Sequence, residues 1–375
     1  MKRSLVVSLV ALAGFAAAGA VHAQERIRVG FMSPLTGPQA ANGVDNRDGA
    51  LLAIKELNAR GIKLKGKPVT FELDVNDDVA DPRQGTQVAQ MLADKKINFV
   101  LGPYNSGVAM PASRPFNDAD VVVFTVASNP KVMEQGYANL FRIGASDNQL
   151  GGKMASYAAQ DLKVKNVAII DDRTAYGQGV AGEFAEQAKR LGIKVVATEF
   201  TTDKSTDFSA VLTKIRSTNP DAVFFGGYAP QGGLMLRQLR ALGMNVPLLG
   251  GDGICSSETA TLSQLTGDLN VYCTQGGSML DRSDKGQKFA QRYRQEYKRD
   301  PLTYAAAFYD GMNLLASAIE ATQSTDSRKI IDHVAKGKFS GVSGEYSYDD
   351  KHNLKSSAVT VFGFKGKEVV PLKSL

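Results

Sequence analysis

Two short turns in this chain pair glycine with residues able to hold a charged ligand. In Leu249-Gly250-Gly251-Asp252-Gly253 an apolar run delivers one carboxylate into a glycine turn, a setting in which an acid faces a cleft more often than a core. In Gly102-Pro103-Tyr104-Asn105-Ser106-Gly107 a hydroxyl and free backbone N–H groups stand at a predicted helix start, which is a seat for an anion. One turn offers negative charge and the other accepts it. A fold that brings them together would hold a ligand carrying both an ammonium and a carboxylate, as a free amino acid does. A buried anion at 252 is costly without a cationic partner, so closing the site empty would be unfavourable.

Other chemistries find little support. Only His333 and His352 remain once an N-terminal leader is removed, so Cys255, Cys273 and Ser106 have no evident base to activate them. Gly61-Ile62-Lys63-Leu64-Lys65-Gly66-Lys67 has the spacing of a phosphate loop, but Pro68 fills the Ser/Thr position and a strand is expected next, which leaves a basic surface loop. Gly-x-Ser-x-Gly, His-Glu-x-x-His and paired Cys-x-x-Cys patterns are missing. Asp77-Asp78 and Asp171-Asp172 follow predicted strands and are expected to be solvated loop acids. No metal and no cofactor is expected.

The chain opens with Lys2 and Arg3, runs apolar over 5–20, and reaches Val21-His22-Ala23 before polar Gln24 and Glu25. This predicts a signal peptide cleaved after Ala23 and a periplasmic protein, without lipid anchoring at Gln24. Losing Lys2 and Arg3 lowers the formal charge from +6 to +4, without a basic block, so no nucleic-acid partner is expected. The mature length exceeds what one core usually holds, and two lobes are predicted. In an oxidising compartment Cys255 and Cys273 are expected to pair as a disulfide.

Strand-like and helix-like runs alternate along most of the length. Ile27, Val29 and Phe31 begin the first strand, and Ala50, Leu51, Ile54 and Leu57 follow at helical spacing up to Gly61. Strands are predicted over 69–75, 97–101 and 121–126, with a helix over 84–92. After a crossing at 143–146 a second series predicts strands over 166–170, 194–200, 221–225, 246–249 and 269–274. Its helices are predicted over 149–162, 179–191, 209–218 and 232–242. Each lobe is thus an α/β doubly wound parallel sheet. Helices over 285–297, 304–321 and 328–335 follow, and 358–370 predicts a hairpin turning at Lys365-Gly366-Lys367.

In this order the chain resembles the type I periplasmic binding proteins of ABC transporters, in their branched-chain amino acid (leucine/isoleucine/valine) group. The resemblance rests on Ser33-Pro34-Leu35-Thr36-Gly37-Pro38, Asp48-Gly49-Ala50, Asp77-Asp78 before Asp81-Pro82-Arg83-Gln84, and Pro111-Ala112-Ser113. Ala127-Ser128-Asn129-Pro130, Asp172 to Gly179 with Tyr176-Gly177, Asp207-Phe208-Ser209 and Phe224-Phe225-Gly226-Gly227-Tyr228 complete it. It implies two lobes joined by three crossovers, 24–145 plus 277–356 and 146–276 plus 357–375, closing on a ligand by a hinge motion.

The resemblance also implies a site. Ser106, Ala127 and Ser128 match the positions that hold a ligand carboxylate, and Asp252 matches the acid for the α-ammonium, where the branched-chain group carries glutamate. Tyr176 and Tyr228 match pocket tyrosines of the second lobe, and Tyr304 an aromatic of the first, their hydroxyls reaching rim acceptors. Asn42 stands where the group places an aromatic ring, while Tyr104 and Asn105 replace smaller, less polar residues, so a more polar pocket is expected. Implied with the family are a small-molecule amino-acid ligand, an inner-membrane ABC permease as partner, a monomeric state and no catalytic residue. An aromatic or polar amino acid, a small carboxylate, or a sensor role stays open.

Overall fold

Two parallel-dominated sheets arise from the two series of apolar runs. The computed structural model describes residues 25–277 and 279–375; the expected signal segment lies outside them. The first sheet runs in the order Lys63–Leu64, Lys67–Asp77, Glu25–Ser33, Phe99–Leu101, Val122–Thr125, Leu140–Arg142, parallel except for the short first strand. Side chains alternate across it, as the period of a strand requires. Phe99 and Leu101 pack toward one set of helices, while Val100 packs with Leu92, Val108 and Phe116 on the other face.

The second sheet runs Glu368–Ser374, Val359–Lys365, Val271–Gly276, Leu248–Gly250, Ala222–Gly226, Asn166–Asp171, Lys194–Phe200. Five of its strands are parallel, and the C-terminal hairpin closes one edge in antiparallel sense. The antiparallel edge is the hairpin expected at Lys365-Gly366-Lys367, since a tight turn at 366–367 can connect only antiparallel neighbours. Phe224 and Leu249 pack on one face, and Val223, Phe225 and Leu248 on the other.

The helix Ala40–Arg60 starts ten residues ahead of its apolar periodicity, because Asn42, Asp45, Asn46 and Asp48 are buried polar residues of its early turns. It ends at Gly61 in the left-handed conformation, φ 73°, which favours glycine. Among the described residues no helix is long and apolar enough to cross a membrane.

Cys255 and Cys273 form a disulfide, with Cα atoms 5.4 Å apart across a sequence separation of 18. Closing a loop of this length contributes roughly 3 kcal/mol in the chain-entropy picture. The double variant Cys255→Ser/Cys273→Ser should therefore lose about that much stability in denaturant titration, and an unchanged midpoint would show that the bridge adds nothing.

Candidate functional site

Residues at the carboxyl ends of strands in both sheets converge in one place, as open α/β sheets arrange their sites. From the second sheet come Tyr176 after Asn166–Asp171, Tyr228 after Ala222–Gly226 and Asp252 after Leu248–Gly250. From the first come Tyr104 after Phe99–Leu101, and Ala127, Ser128 and Asn129 after Val122–Thr125. Tyr304 stands at the start of the helix Ala305–Thr322, which packs along Ala40–Arg60.

Asp252 is 6% exposed and opens a single 3-10 turn, Asp252–Ile254. Its Oδ1 accepts a hydrogen bond from the Tyr176 hydroxyl at 2.8 Å, and its Oδ2 accepts one from Tyr304 across the cleft. The Gly253 N–H donates to the Tyr176 hydroxyl at 2.8 Å, completing a relay onto the carboxylate. Burial raises the Asp252 pKa above its ordinary value, and the two phenols offset part of that rise. Burial, then the charge of Asp252, pushes the Tyr176 and Tyr304 hydroxyls well up, so both stay protonated donors. The expected rim acceptors are thereby corrected for these two tyrosines, whose acceptor is the acid itself.

The rings of Tyr176 and Tyr228 lie 5.0 Å apart, Tyr228 and Tyr104 6.3 Å, and Tyr104 and Tyr304 5.9 Å. They make a continuous aromatic wall around the carboxylate, with all four side chains buried. Asn105 is buried beside it and donates to Gln39 Oε1 at 2.7 Å. Asn42 is buried one turn along from Gln39, but among the described residues it makes no hydrogen bond to the Asp252 cluster.

Ser106 is the first residue of the helix Ser106–Asp118, one past the cap. Its hydroxyl accepts from the Asn129 N–H at 3.2 Å and so binds that helix start to the neighbouring loop. The Gly102 turn before it has φ 117°, and a Cβ there would lie 2.1 Å from the Met32 carbonyl oxygen, so only glycine fits. Ala127 plays a framework part. Its N–H donates to the Thr125 hydroxyl at 3.0 Å and its carbonyl accepts from Arg142. Ser128 is buried, and its carbonyl accepts the N–H of Asp147 at 2.9 Å.

Arg142 and Asp147 bear on the site although their sequence context does not mark them, and so does Asn129, which the sequence marks only as part of a family motif. Arg142 is 1% exposed and also donates to the Asn129 carbonyl at 3.0 Å, placing a guanidinium directly behind the 127–129 loop. Burial lowers its pKa to about 10, which leaves it charged at neutral pH. Asn129 reaches across to the second lobe, donating to the Ala175 carbonyl at 2.6 Å. Asp147 is fully buried at the start of the helix Asp147–Gln160, and desolvation drives its pKa well up. Asp45 is a further positioning residue. Its carboxylate accepts from the Tyr293 hydroxyl at 2.9 Å and from the N–H groups of Leu302 and Ala305 at 2.8 and 2.9 Å, fixing the segment that carries Tyr304.

The acidic pairs depart from their expectation. Asp78 is 0% and Asp172 1% exposed, so they are buried rather than solvated. Each folds back on the backbone two residues ahead, accepting from Ala80 N–H at 3.0 Å and Thr174 N–H at 2.9 Å, the Asx geometry that lets a loop acid turn inward. Burial raises their pKa values to about 7 and about 6. The folded chain therefore binds protons that the unfolded chain releases, and stability rises as pH falls from about 8 toward 5. His352, whose pKa burial lowers, opposes this in sign. Asp78→Asn should flatten the pH dependence of the unfolding midpoint over this range, and an unaltered slope would contradict the assignment.

A family model described as periplasmic binding protein matches residues 26–368. The chain belongs to that family. It is 34% identical over 357 residues to the Leu/Ile/Val-binding protein homolog 1 of Brucella suis, covering 94% of each chain. Among solved structures it is similar to the branched-chain amino acid transporter substrate binding protein LivJ from Streptococcus pneumoniae in complex with isoleucine. That similarity has 29% identity and a TM-score of 0.85, over 93% of this chain and 100% of that one. A leucine binding protein LivK from Thermotoga maritima matches with 26% identity and a TM-score of 0.85, over 93% and 98%. The type I two-lobed fold and the family expected from the residues are both borne out.

Proposed function

We propose that this protein is the solute-binding component of an ABC importer and captures a free branched-chain α-amino acid between its lobes. The observation that carries the reading is Asp252, an acid buried among phenolic donors with no cation beside it among the described residues. A ligand ammonium there supplies the missing counter-charge. The ligand carboxylate goes to the opposite wall, to Ser106, Ser128 and the 127–129 loop, where the Arg142 guanidinium gives a positive background. Tyr104, Tyr228, Tyr176 and Tyr304 enclose the side chain, with Asn42 and Asn105 at its border.

In this reading the lobes divide as 24–145 plus 277–356 and 146–276 plus 357–375, and the protein is a periplasmic monomer released from its leader after Ala23. An inner-membrane permease receives the closed form. Binding shifts the population toward closure through the Tyr304 bond to Asp252 and the Asn129 bond to Ala175, both of which join the lobes. The run of tyrosine rings favours a second reading, an amino acid with an aromatic side chain. A thermal-shift screen of the twenty amino acids and small carboxylates decides between them, because a tight ligand raises the unfolding temperature. Leucine, isoleucine or valine should give the largest rise. A larger rise with phenylalanine or tyrosine would select the second reading, and no rise with any amino acid would overturn both.

A further inference from the structure

A groove rich in basic side chains stands apart from the Asp252 cluster. The helices Asp284–Tyr297 and Ala305–Thr322 leave between them a groove of about 420 Å³, floored by Phe339, Ser340 and Gly341. Lys285, Lys288 and Arg292 follow one another at helical spacing, so they share the face that forms one wall. Asn313 and Ser317 occupy the facing wall, and the ion pair of Arg60 with Glu320 closes one end.

The charges here are not balanced. Other charged residues of these helices are paired with neighbouring elements: Glu296 with Lys55 at 2.6 Å, Glu320 with Arg60 at 2.8 Å, Arg292 with Glu56 at 2.7 Å and Arg294 with Asp300 at 2.7 Å. Among the described residues Lys285 instead donates only to the carbonyl and hydroxyl of Ser340, at 3.1 and 3.0 Å. Among the described residues Lys288 has no carboxylate partner within 4.0 Å. Asp310 lines the groove too, but its carboxylate is engaged by the Val342 and Ser343 N–H groups at 2.8 and 2.9 Å, and by the Ser343 and Tyr346 hydroxyls at 2.5 and 3.0 Å. Two ammonium groups one helical turn apart, in a concavity with amide and hydroxyl donors opposite, match the charge and hydrogen-bonding demand of a doubly negative oxyanion.

We propose that this groove binds a phosphate dianion, free or as the head of a small phosphomonoester, independently of the interlobe ligand. The volume lies in the range of small-molecule pockets and leaves room beside Tyr309 and Phe339 for the remainder of an ester.

The test is calorimetric titration of the mature protein with inorganic phosphate and with glucose 6-phosphate at pH 8 and low ionic strength, with acetate at matched ionic strength as control. Saturable binding of at least one phosphate probe, one per chain, is expected in the wild type. It should weaken at least about tenfold in Lys285→Ala/Lys288→Ala, the loss of two charge-assisted contacts. The unfolding temperature without ligand should change little, because both lysines are exposed and only the surface hydrogen bonds of Lys285 to Ser340 are lost. Tighter binding of the ester assigns it as the ligand, and equal binding assigns phosphate alone. Absence of saturable binding by both probes, equal affinity in the double variant, or equal binding of acetate would overturn the proposal.

Discussion

Asp252→Ala should lower the affinity for the amino acid at least about a hundredfold while leaving the protein folded. A ligand ammonium facing this carboxylate loses its only counter-charge, and removing one partner of a buried ion pair costs about 3–5 kcal/mol, which is more than two decades in Kd. The side chain rests in a short turn against Tyr176 and Tyr304 rather than in either sheet, so its removal spares the core. The same assignment fixes a pH dependence. Burial raises the pKa of Asp252, and the proton it takes up in acid competes with the ammonium, so affinity should climb with pH until Asp252 is ionised and then level off. Calorimetric titration of the wild type and the variant across pH checks both. Near-normal affinity in Asp252→Ala would remove the acid from the site.

Tyr304→Phe should weaken binding by roughly ten- to a hundredfold, the span of a charge-assisted hydrogen bond worth about 1.5–3 kcal/mol. This hydroxyl is the direct link from the first lobe to Asp252, so the loss bears on closure itself. The ring remains, with its contact to Tyr104. Combined with Asp252→Ala it should add almost nothing further, because two residues sharing one interaction are not additive. Full additivity in the double-mutant cycle would separate Tyr304 from Asp252, and small-angle scattering should show less compaction of Tyr304→Phe at subsaturating ligand.

Local pattern carried the architecture because each apolar run that forms a central strand is buried on both faces, as at Phe99-Val100-Leu101 and Val122-Val123-Phe124, and such runs stand out against charged helices. Asp252 was legible for a similar reason, its acid following an apolar strand into glycine. Arg142, Asp147 and Asp45 were not, nor was the role of Asn129 within its motif, since these roles come from partners elsewhere along the chain. Arg142 lies within a strand, and only the approach of the 127–129 loop gives its charge a use. Asp45 lies ahead of the run read as helical, and nothing marks it until Leu302 and Ala305 meet it. Asp78 and Asp172 misled in the other direction. A doublet of acids in a loop is ordinarily solvated, and here the inner member turns in on its own backbone. Ser106 kept its place at the helix start, but its hydroxyl serves the Asn129 amide rather than the cap.

The recognition of opposite charges by the two walls is tested most directly by titrating the protein with leucine, with 4-methylpentanoate, which lacks the ammonium, and with 3-methylbutylamine, which lacks the carboxylate. Leucine alone should bind tightly, with each truncated analogue weaker by at least about a hundredfold. Binding of 4-methylpentanoate as tight as that of leucine would contradict an ammonium held at Asp252.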